Sequence, residues 1–187
     1  GYLCEAEKLY VSATKSRPSH AAAWVSLGQL LTRKLRRGAE AGRACYENAE
    51  HELLEVGLPM SAHVYTAWGG MEYKDANDDL RARILFKKAL GIDSRCSAAW
   101  LQLGDMESKM ERYENAKTCF EAVLSYDPRN SRVLQAYALM EGRRINSKNA
   151  LGLFERALKV RPRDGGVYQA YALYVAELGD IDAARDL

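Results

Sequence analysis

Two sets of residues recur along this chain at a fixed spacing of 34 residues. One set is small and the other is aromatic: Ala82, Ala116, Ala150 and Ala184, and Phe86, Phe120 and Phe154. A constant period of this length is typical of stacked helix-turn-helix units, because one unit alone cannot bury its apolar face. The spacing therefore predicts an all-α, right-handed α-solenoid of antiparallel helix pairs, with about 34 residues per repeat.

A second periodic set lies upstream of each alanine. Large apolar residues stand at Trp24, Tyr65, Trp100, Leu134 and Tyr168, and each is followed four residues later by a small one, at Gly28, Gly69, Gly104, Ala138 and Ala172. Residues spaced by four lie on one face of a helix. The pattern predicts a first helix in each unit with a flat site where a partner approaches closely.

The repeats organise the whole chain into one predicted array, 1–187, of eleven helices. A half repeat at 1–18 precedes whole repeats at 19–60, 61–94, 95–128 and 129–162 and a partial repeat at 163–187, with Pro18, Pro128 and Pro162 at unit boundaries. The polar caps that solenoids need are absent from both ends, so we expect an internal fragment of a longer solenoid. The repeat at 19–60 is irregular, with two extra residues before Gly42 and a longer second helix near 50–58; length variation and a dedicated contact are both open.

Composition excludes little about partners but argues against several kinds of chemistry. The net charge is +2, with 27 basic and 25 acidic residues, so a polyanion is neither required nor excluded. The four cysteines form no CxxC pair and do not cluster with the three histidines, so we expect no metal and no cofactor. Cys45 and Cys119 occupy core positions, which indicates a reducing intracellular compartment. No apolar run is long enough to span a membrane.

The repeat residues resemble a known family. The sequences WLQLGDMES and AKTCFEAVLSYDP carry the Trp, Leu, Gly, Ala, Phe and Pro positions of the tetratricopeptide repeat. A glutamate at one fixed place, in Glu72, Glu107 and Glu141, and second helices such as ARILFKKAL resemble the half-a-tetratricopeptide (HAT) variant. That resemblance implies a role in RNA maturation, as RNA-contacting repeats or as scaffolds in ribonucleoprotein machines.

One long segment narrows the resemblance further. VYTAWGGMEYKDANDDLRARILFKKALGID is similar to the organellar HAT proteins of plants and algae that stabilise and process chloroplast messenger RNAs. This resemblance implies a chloroplast location. The chain departs from the repeat pattern where Leu134 replaces the aromatic residue, Leu151 a basic residue and Val175 the glutamate.

A basic residue recurs late in the first helix of four successive repeats, at Arg33, Lys74, Lys109 and Arg143. Neighbouring helices pack about 10 Å apart, so these residues predict a ladder of positive charge on the concave side that suits the phosphates of single-stranded RNA. Arg132 would extend the ladder, and Tyr73 and His63 are candidates for base stacking or hydrogen bonding. Preference of cations for helix carboxyl ends explains the same pattern without RNA, and both interpretations are open.

These observations favour a non-catalytic protein that binds single-stranded RNA in RNA processing or stabilisation. The alternative is a protein-protein scaffold or assembly subunit of a large ribonucleoprotein or organellar complex, because the predicted groove is mixed and partly apolar. The histidines have no recurring Ser or Cys partner, so neither catalysis nor a small-molecule substrate is expected. The three repeated glutamates are expected to form ion pairs within their repeats, with groups such as Arg83 or Lys117.

Overall fold

The computed structural model describes residues 2–186, and every regular element in this part of the chain is helical. It divides into two compact units, with the boundary after Gln102. The first unit holds α1 (Tyr2–Ser16), α2 (Ala21–Gln29), α3 (Ala39–Glu55), α4 (Ala62–Lys74) and α5 (Asp79–Ile92). The boundary lies inside α6 (Ser97–Lys109), and the second unit continues with α7 (Tyr113–Tyr126), α8 (Ser131–Arg143), α9 (Ser147–Val160), α10 (Gly165–Glu177) and α11 (Ile181–Asp186). The described residues thus contain the eleven α-helices that the sequence predicts.

Helices within each unit pack as successive hairpins. The even-numbered helices are the first helices of the repeats and the odd-numbered ones from α3 onward are the second helices. In the first unit α4 packs against α5, and α2 contacts both α3 and α4. In the second unit α8 packs against α9, and α10 contacts both α8 and α9. Within each unit, neighbouring hairpins therefore bury their apolar sides against one another, which is how helical repeats share a core.

Polar side chains and prolines set the helix ends. The side chains of Ser61, Asp78, Asn130 and Asp164 accept hydrogen bonds from N–H groups in the first turns of α4, α5, α8 and α10. The helices α1, α7 and α9 end at Ser16, Tyr126 and Val160, each two residues before a proline. Proline cannot donate a backbone hydrogen bond and disfavours a helical residue before it. The helix ends near Pro18, Pro128 and Pro162 thus fall where the sequence predicts unit boundaries, and the boundaries themselves stay predictions.

A left-handed residue occurs in the turn between the first and second helix of each repeat. The residues with positive φ in these turns are Arg36 and Gly38 in the first turn, and Asn77, Glu111, Ile145 and Gly179 in the following ones. Glycine and asparagine adopt this conformation readily, whereas a β-branched residue does so at a cost. Ile145 has φ of 62° and is 88% exposed, so no burial of its side chain offsets that cost. Repeat packing, rather than local preference, fixes the turn at this position.

The irregular repeat accommodates its two extra residues in two places. A π-helical turn, Leu30–Lys34, follows α2 and absorbs one residue. The connection from it to α3 covers 35–38, four residues like the connection at 75–78, whereas the connections at 110–112 and 144–146 have three. The register of the following core residues, from Gly42 onward, is thereby restored. The predicted lengthening of the second helix is also observed, since α3 extends to Glu55.

The small residues of the first helices lie directly under aromatic rings. A Cβ atom added at Gly28 would lie 2.5 Å from Cζ of Tyr46, one at Gly69 2.8 Å from Cε1 of Phe86, and one at Gly104 2.6 Å from Cε1 of Phe120. Tyr46, Phe86 and Phe120 have no solvent exposure. Glycine is therefore required at these three positions for close approach, as the spacing of the small residues predicts.

Stacked rings complete the core of each unit. In the first unit Trp68 lies between Tyr46 and Tyr65, with ring centroids 5.8 and 6.4 Å apart. In the second unit Phe120 stacks on Tyr137 at 5.6 Å, and Phe154 stacks on Tyr171 at 5.0 Å. The periodic residues Phe86, Phe120 and Phe154 thus form core, as the sequence predicts, whereas Trp100 and Tyr168 are only partly buried.

Candidate interaction surface

The glutamate that suggested the HAT variant is buried in all three repeats. The Glu72 carboxylate accepts hydrogen bonds from Nε and Nη2 of Arg43, at 2.9 and 2.6 Å, and from Nε1 of Trp68 at 2.9 Å. Nε of Arg81 lies 3.5 Å away. These hydrogen bonds to Glu72 raise the pKa of the Arg43 guanidinium above its ordinary value, although partial burial opposes the change. Glu72 therefore joins α3, α4 and α5 in the first unit.

Glu107 and Glu141 stabilise the turns that follow their own helices. Glu107 lies 3.6 Å from Nη1 of Arg112, and Oε2 of Glu141 accepts a hydrogen bond from Nδ2 of Asn146 at 2.7 Å. Their backbone carbonyls accept the N–H groups of the same two residues, both at 2.9 Å. Each glutamate thus holds its turn through both side chain and backbone.

Burial distinguishes these glutamates from ordinary surface ion pairs, since Glu72, Glu107 and Glu141 are 0, 3 and 1% exposed. Two of them form ion pairs within their own repeats, as the sequence predicts: Glu72 with Arg81 and Glu107 with Arg112. Glu72 also pairs with Arg43 of the preceding repeat, a contact that a spacing within one repeat does not show.

In the first unit, the predicted charge ladder contains Arg33 and Lys74. Nε and Nη2 of Arg33 each lie 3.3 Å from Oδ2 of Asp75, the residue that follows Lys74. The pairing brings the end of α2 next to the end of α4, so the two predicted cations are neighbours. Asp75 places an anion between them, however, and the local charge is mixed.

In the second unit, the same position holds Lys109 and Arg143. Lys109 Nζ lies 3.0 Å from Oδ2 of Asp105, one turn earlier on α6. Arg143 Nη1 donates a hydrogen bond to Oγ of Ser108 at 3.0 Å. The second unit therefore also brings two predicted cations to adjacent helix ends, and one of them is paired with an aspartate.

The other predicted site residues are exposed or half-buried. His63 and Arg132 are exposed near the amino ends of α4 and α8, and Lys74 is exposed at the carboxyl end of α4. Tyr73 is half-buried. His63 and Tyr73 are thus separated along one helix. Their roles in binding stay predictions.

Sequence reasoning missed the anions beside the cations. The spacing of four between Asp105 and Lys109 on one helix is a visible signal. The pairing of Arg33 with Asp75 spans 42 positions and has no local signal. For this reason the sequence overstated how far the basic residues form a continuous positive surface.

A second polar network joins α3, α4 and α5 in the first unit. The Tyr65 hydroxyl donates a hydrogen bond to Glu50 at 2.5 Å, and Lys88 Nζ donates to the same carboxylate at 3.0 Å. Lys88 Nζ also lies 5.1 Å from the centroid of the Tyr65 ring. Burial alone would raise the pKa of Glu50, but the hydrogen bonds from Tyr65 and Lys88 outweigh it and hold that pKa below its ordinary value.

The buried cysteines lack the properties of nucleophiles. Cys45 and Cys119 lie in the core, and desolvation raises the pKa of each thiol to about 12. A thiol needs to lose its proton to attack an electrophile or bind a metal, and at neutral pH both keep it. Within residues 2–186, the side chains show no cluster of three or more metal-ligating groups. No helix in the same range is long and apolar enough to cross a bilayer.

Comparison with known proteins supports the assignment of this chain to the helical-repeat proteins. The geometry is that of an all-α solenoid of antiparallel helix pairs, and the predicted fold class is confirmed. Family models described as tetratricopeptide repeat match residues 5–53 and 97–130. The matches support the tetratricopeptide repeat family and do not distinguish the HAT variant. No curated protein matches the sequence.

Solved structures share this fold at low sequence identity. A tetratricopeptide repeat protein from Parabacteroides merdae is 17% identical with a TM-score of 0.77, and the match covers 98% of this chain and 70% of that one. PilF of Pseudomonas aeruginosa is 20% identical with a TM-score of 0.71, covering 89% and 72%. YrrB, described as a tetratricopeptide repeat protein with an unusual peptide-binding site, is 19% identical with a TM-score of 0.64, covering 90% and 83%. At these identities the likeness establishes the fold alone.

Proposed function

We propose that this chain is a non-catalytic scaffold that binds a peptide segment of a partner protein on its first helices. Tetratricopeptide repeats support a role in protein interaction, and the peptide-binding site named for YrrB supports a peptide as ligand. In the first unit the candidate surface consists of exposed residues of α2 and the π-helical turn after it, and of α4. These residues are Gln29, Arg33, His63 and Lys74, and we call them the first-helix face.

The observation that carries this proposal is the mixed charge beside the predicted cations. Arg33 is paired with Asp75, and Lys109 with Asp105. A polyanion would have to displace these aspartates, whereas a peptide with both charged and neutral groups complements them as they stand.

The first-helix face also provides hydrogen-bonding groups for a peptide backbone. Gln29 is exposed on α2, and its amide can both donate and accept. Gly70 leaves a flat site on α4, and the side-chain amide of Gln102 lies against it. Amides placed along neighbouring helices bind an extended peptide without requiring one sequence, and Lys74 adds a preference for an acidic residue.

Peptide display on the whole chain tests this proposal. A random-peptide phage library is selected against the immobilised chain, and the enriched peptides are synthesised and titrated by fluorescence anisotropy. We expect enriched peptides to carry acidic residues and to bind the double variant Gln29→Ala, Lys74→Glu about tenfold more weakly. Lys87→Glu on the exposed side of α5 is the matched control and should change affinity less than twofold. Failure to enrich any peptide, or equal loss in both variants, would overturn the proposal.

Single-stranded RNA is the second candidate, as the HAT resemblance implies. The exposure of Lys74 and Arg132 favours it, because both side chains are available to phosphates. A labelled uridine oligonucleotide titrated at several salt concentrations tests it. Binding with a slope of about −0.7 per phosphate contact, reduced by about one contact in Arg132→Glu, would support RNA over a peptide. The HAT variant, the organellar role and the reducing or chloroplast compartment stay predictions.

A further inference from the structure

The end of α3 differs from the ends of the other second helices. α3 has 17 residues, whereas α5, α7 and α9 have 14 each. The chain then turns at Gly57, whose φ is 69°, and the Leu58 N–H donates to the Leu53 carbonyl at 2.8 Å. This is the bonding of a Schellman turn, which closes a helix with a left-handed glycine. The added turn of helix thus has a defined and rigid end.

This rigid end presents apolar side chains to solvent. Leu54 is 76% exposed, Val56 56% and Leu58 46%, while Leu53 between them and the core is buried. Single exposed apolar residues are common on protein surfaces, but a contiguous group marks an interaction site. Leu54, Val56 and Leu58 stand within five positions of one another, and we infer that they form such a group.

The neighbouring helix α5 adds a fourth apolar side chain. Glu47 pairs with Arg81, and Glu50 pairs with Lys88. The later residue on α3 pairs with the later residue on α5, so the two helices run side by side and parallel. Leu54 is one turn beyond Glu50 on α3, and Ile92, which is 50% exposed, is one turn beyond Lys88 on α5. We call Leu54, Val56, Leu58 and Ile92 the apolar end patch.

The charges around the apolar end patch are mainly negative. Glu55 and Asp93 are each next in sequence to one of its members, and the cation nearest to it in sequence is Arg95. Lys88 on α5 forms an ion pair with Glu50. Glu55 lies 3.7 Å from Nδ1 of His51, which is neutral unless protonated. A partner that complements this surface is apolar at its centre and basic at its rim.

We propose that the apolar end patch docks a basic amphipathic helix of a partner protein. Apolar side chains one turn apart on that helix would cover Leu54 and Ile92, and its Lys or Arg residues would face Glu55 and Asp93. The proposal assigns a role to the extra turn of α3. It is independent of the first-helix face, because none of its residues lies on a first helix.

A designed peptide pair tests the charge and the apolar contacts together. The probe is a labelled 18-residue amphipathic helix of Leu and Lys, and the comparison peptide has Glu in place of every Lys. We expect the whole chain to bind the Lys peptide and not the Glu peptide. Leu54→Ser with Leu58→Ser should weaken binding about tenfold, which is the usual effect of removing interface anchors. Glu55→Lys with Asp93→Lys should weaken it by a similar factor.

The matched control is Leu80→Ser with Ile84→Ser. These residues are 69 and 54% exposed and lie in the first half of α5, away from its carboxyl end. Their replacement should therefore change the affinity for the Lys peptide less than twofold. Circular dichroism confirms that each variant is folded. Equal weakening by both apolar variants, or no binding of the Lys peptide, would overturn the proposal. So would self-association of the chain in analytical ultracentrifugation that Leu54→Ser with Leu58→Ser abolishes, because the occupant would then be a second copy.

Discussion

Replacing glycine by alanine at two helical positions separates core packing from helix propensity. Gly104 in α6 lies under the Phe120 ring, and an added Cβ would be 2.6 Å from Cε1 of that ring. Phe120 has no solvent exposure and stacks on Tyr137, so it cannot move away cheaply. Gly152 in α9 has no atom within 4 Å of an added Cβ. The same substitution therefore meets a rigid ring at one position and open space at the other.

The expected free energies of unfolding follow from two effects. Alanine in a helix interior is better than glycine by about 0.5 to 1 kcal/mol. Overpacking of a rigid core costs about 1 to 3 kcal/mol. Gly152→Ala should therefore stabilise the protein by about 0.5 to 1 kcal/mol, whereas Gly104→Ala should destabilise it by about 1 kcal/mol. The two variants should differ by about 2 kcal/mol.

Urea unfolding followed by far-ultraviolet circular dichroism measures this difference. With a typical slope of about 2 kcal/mol per molar urea, the midpoints of the two variants should lie about 1 M apart. Equal slopes in the variants and the parent chain confirm that the same structure unfolds. A midpoint for Gly104→Ala at or above that of the parent chain would refute the packing argument.

Three further substitutions test polar groups and a turn. Glu72→Gln should lower the free energy of unfolding, measured by urea titration, by about 3 kcal/mol, because it leaves Arg43 without its buried partner. The control is Glu40→Gln, which removes the exposed partner of Arg43 and should change the free energy of unfolding by less than about 1 kcal/mol. Ile145→Gly should raise it by about 1 kcal/mol by relieving the left-handed backbone; an unchanged midpoint contradicts this. Because the pKa of Glu50 is held below 4.5 when folded, its contribution is present above that pH and is lost as pH falls through the lowered value. Glu50→Gln should therefore lose less stability than the parent chain between about pH 6 and pH 3, and an equal loss would contradict this.

The hairpins and core were predictable because their signals are periodic. The 34-residue spacing identifies helix pairs, and the alternation of Gly69 or Gly104 with Phe86 or Phe120 identifies which faces meet. Each signal is repeated, so one irregular repeat does not obscure it. The buried positions of Cys45 and Cys119 follow from the same register and are confirmed.

The surface was less predictable because its contacts join distant residues. Arg33 meets Asp75 through the stacking of two hairpins, and a sequence shows the cation without its partner. The π-helical turn at Leu30–Lys34 has the same origin, since packing of the following core residues decides where an insertion is absorbed. The exposure of Leu54 likewise depends on the position of a neighbouring helix, and the sequence indicated only that α3 is longer.

The buried glutamates change what the HAT signature says about function. Glu141 holds the turn at Ile145 through its carboxylate and its carbonyl, both bonded to Asn146. A turn with an isoleucine in a left-handed conformation needs such support, because the local residues do not favour it. The fixed glutamate is therefore explained by packing within and between hairpins, and the same residue would serve a repeat that binds protein or one that binds RNA. What the chain binds must be inferred from exposed groups such as Lys74 and Leu54, which the core does not require.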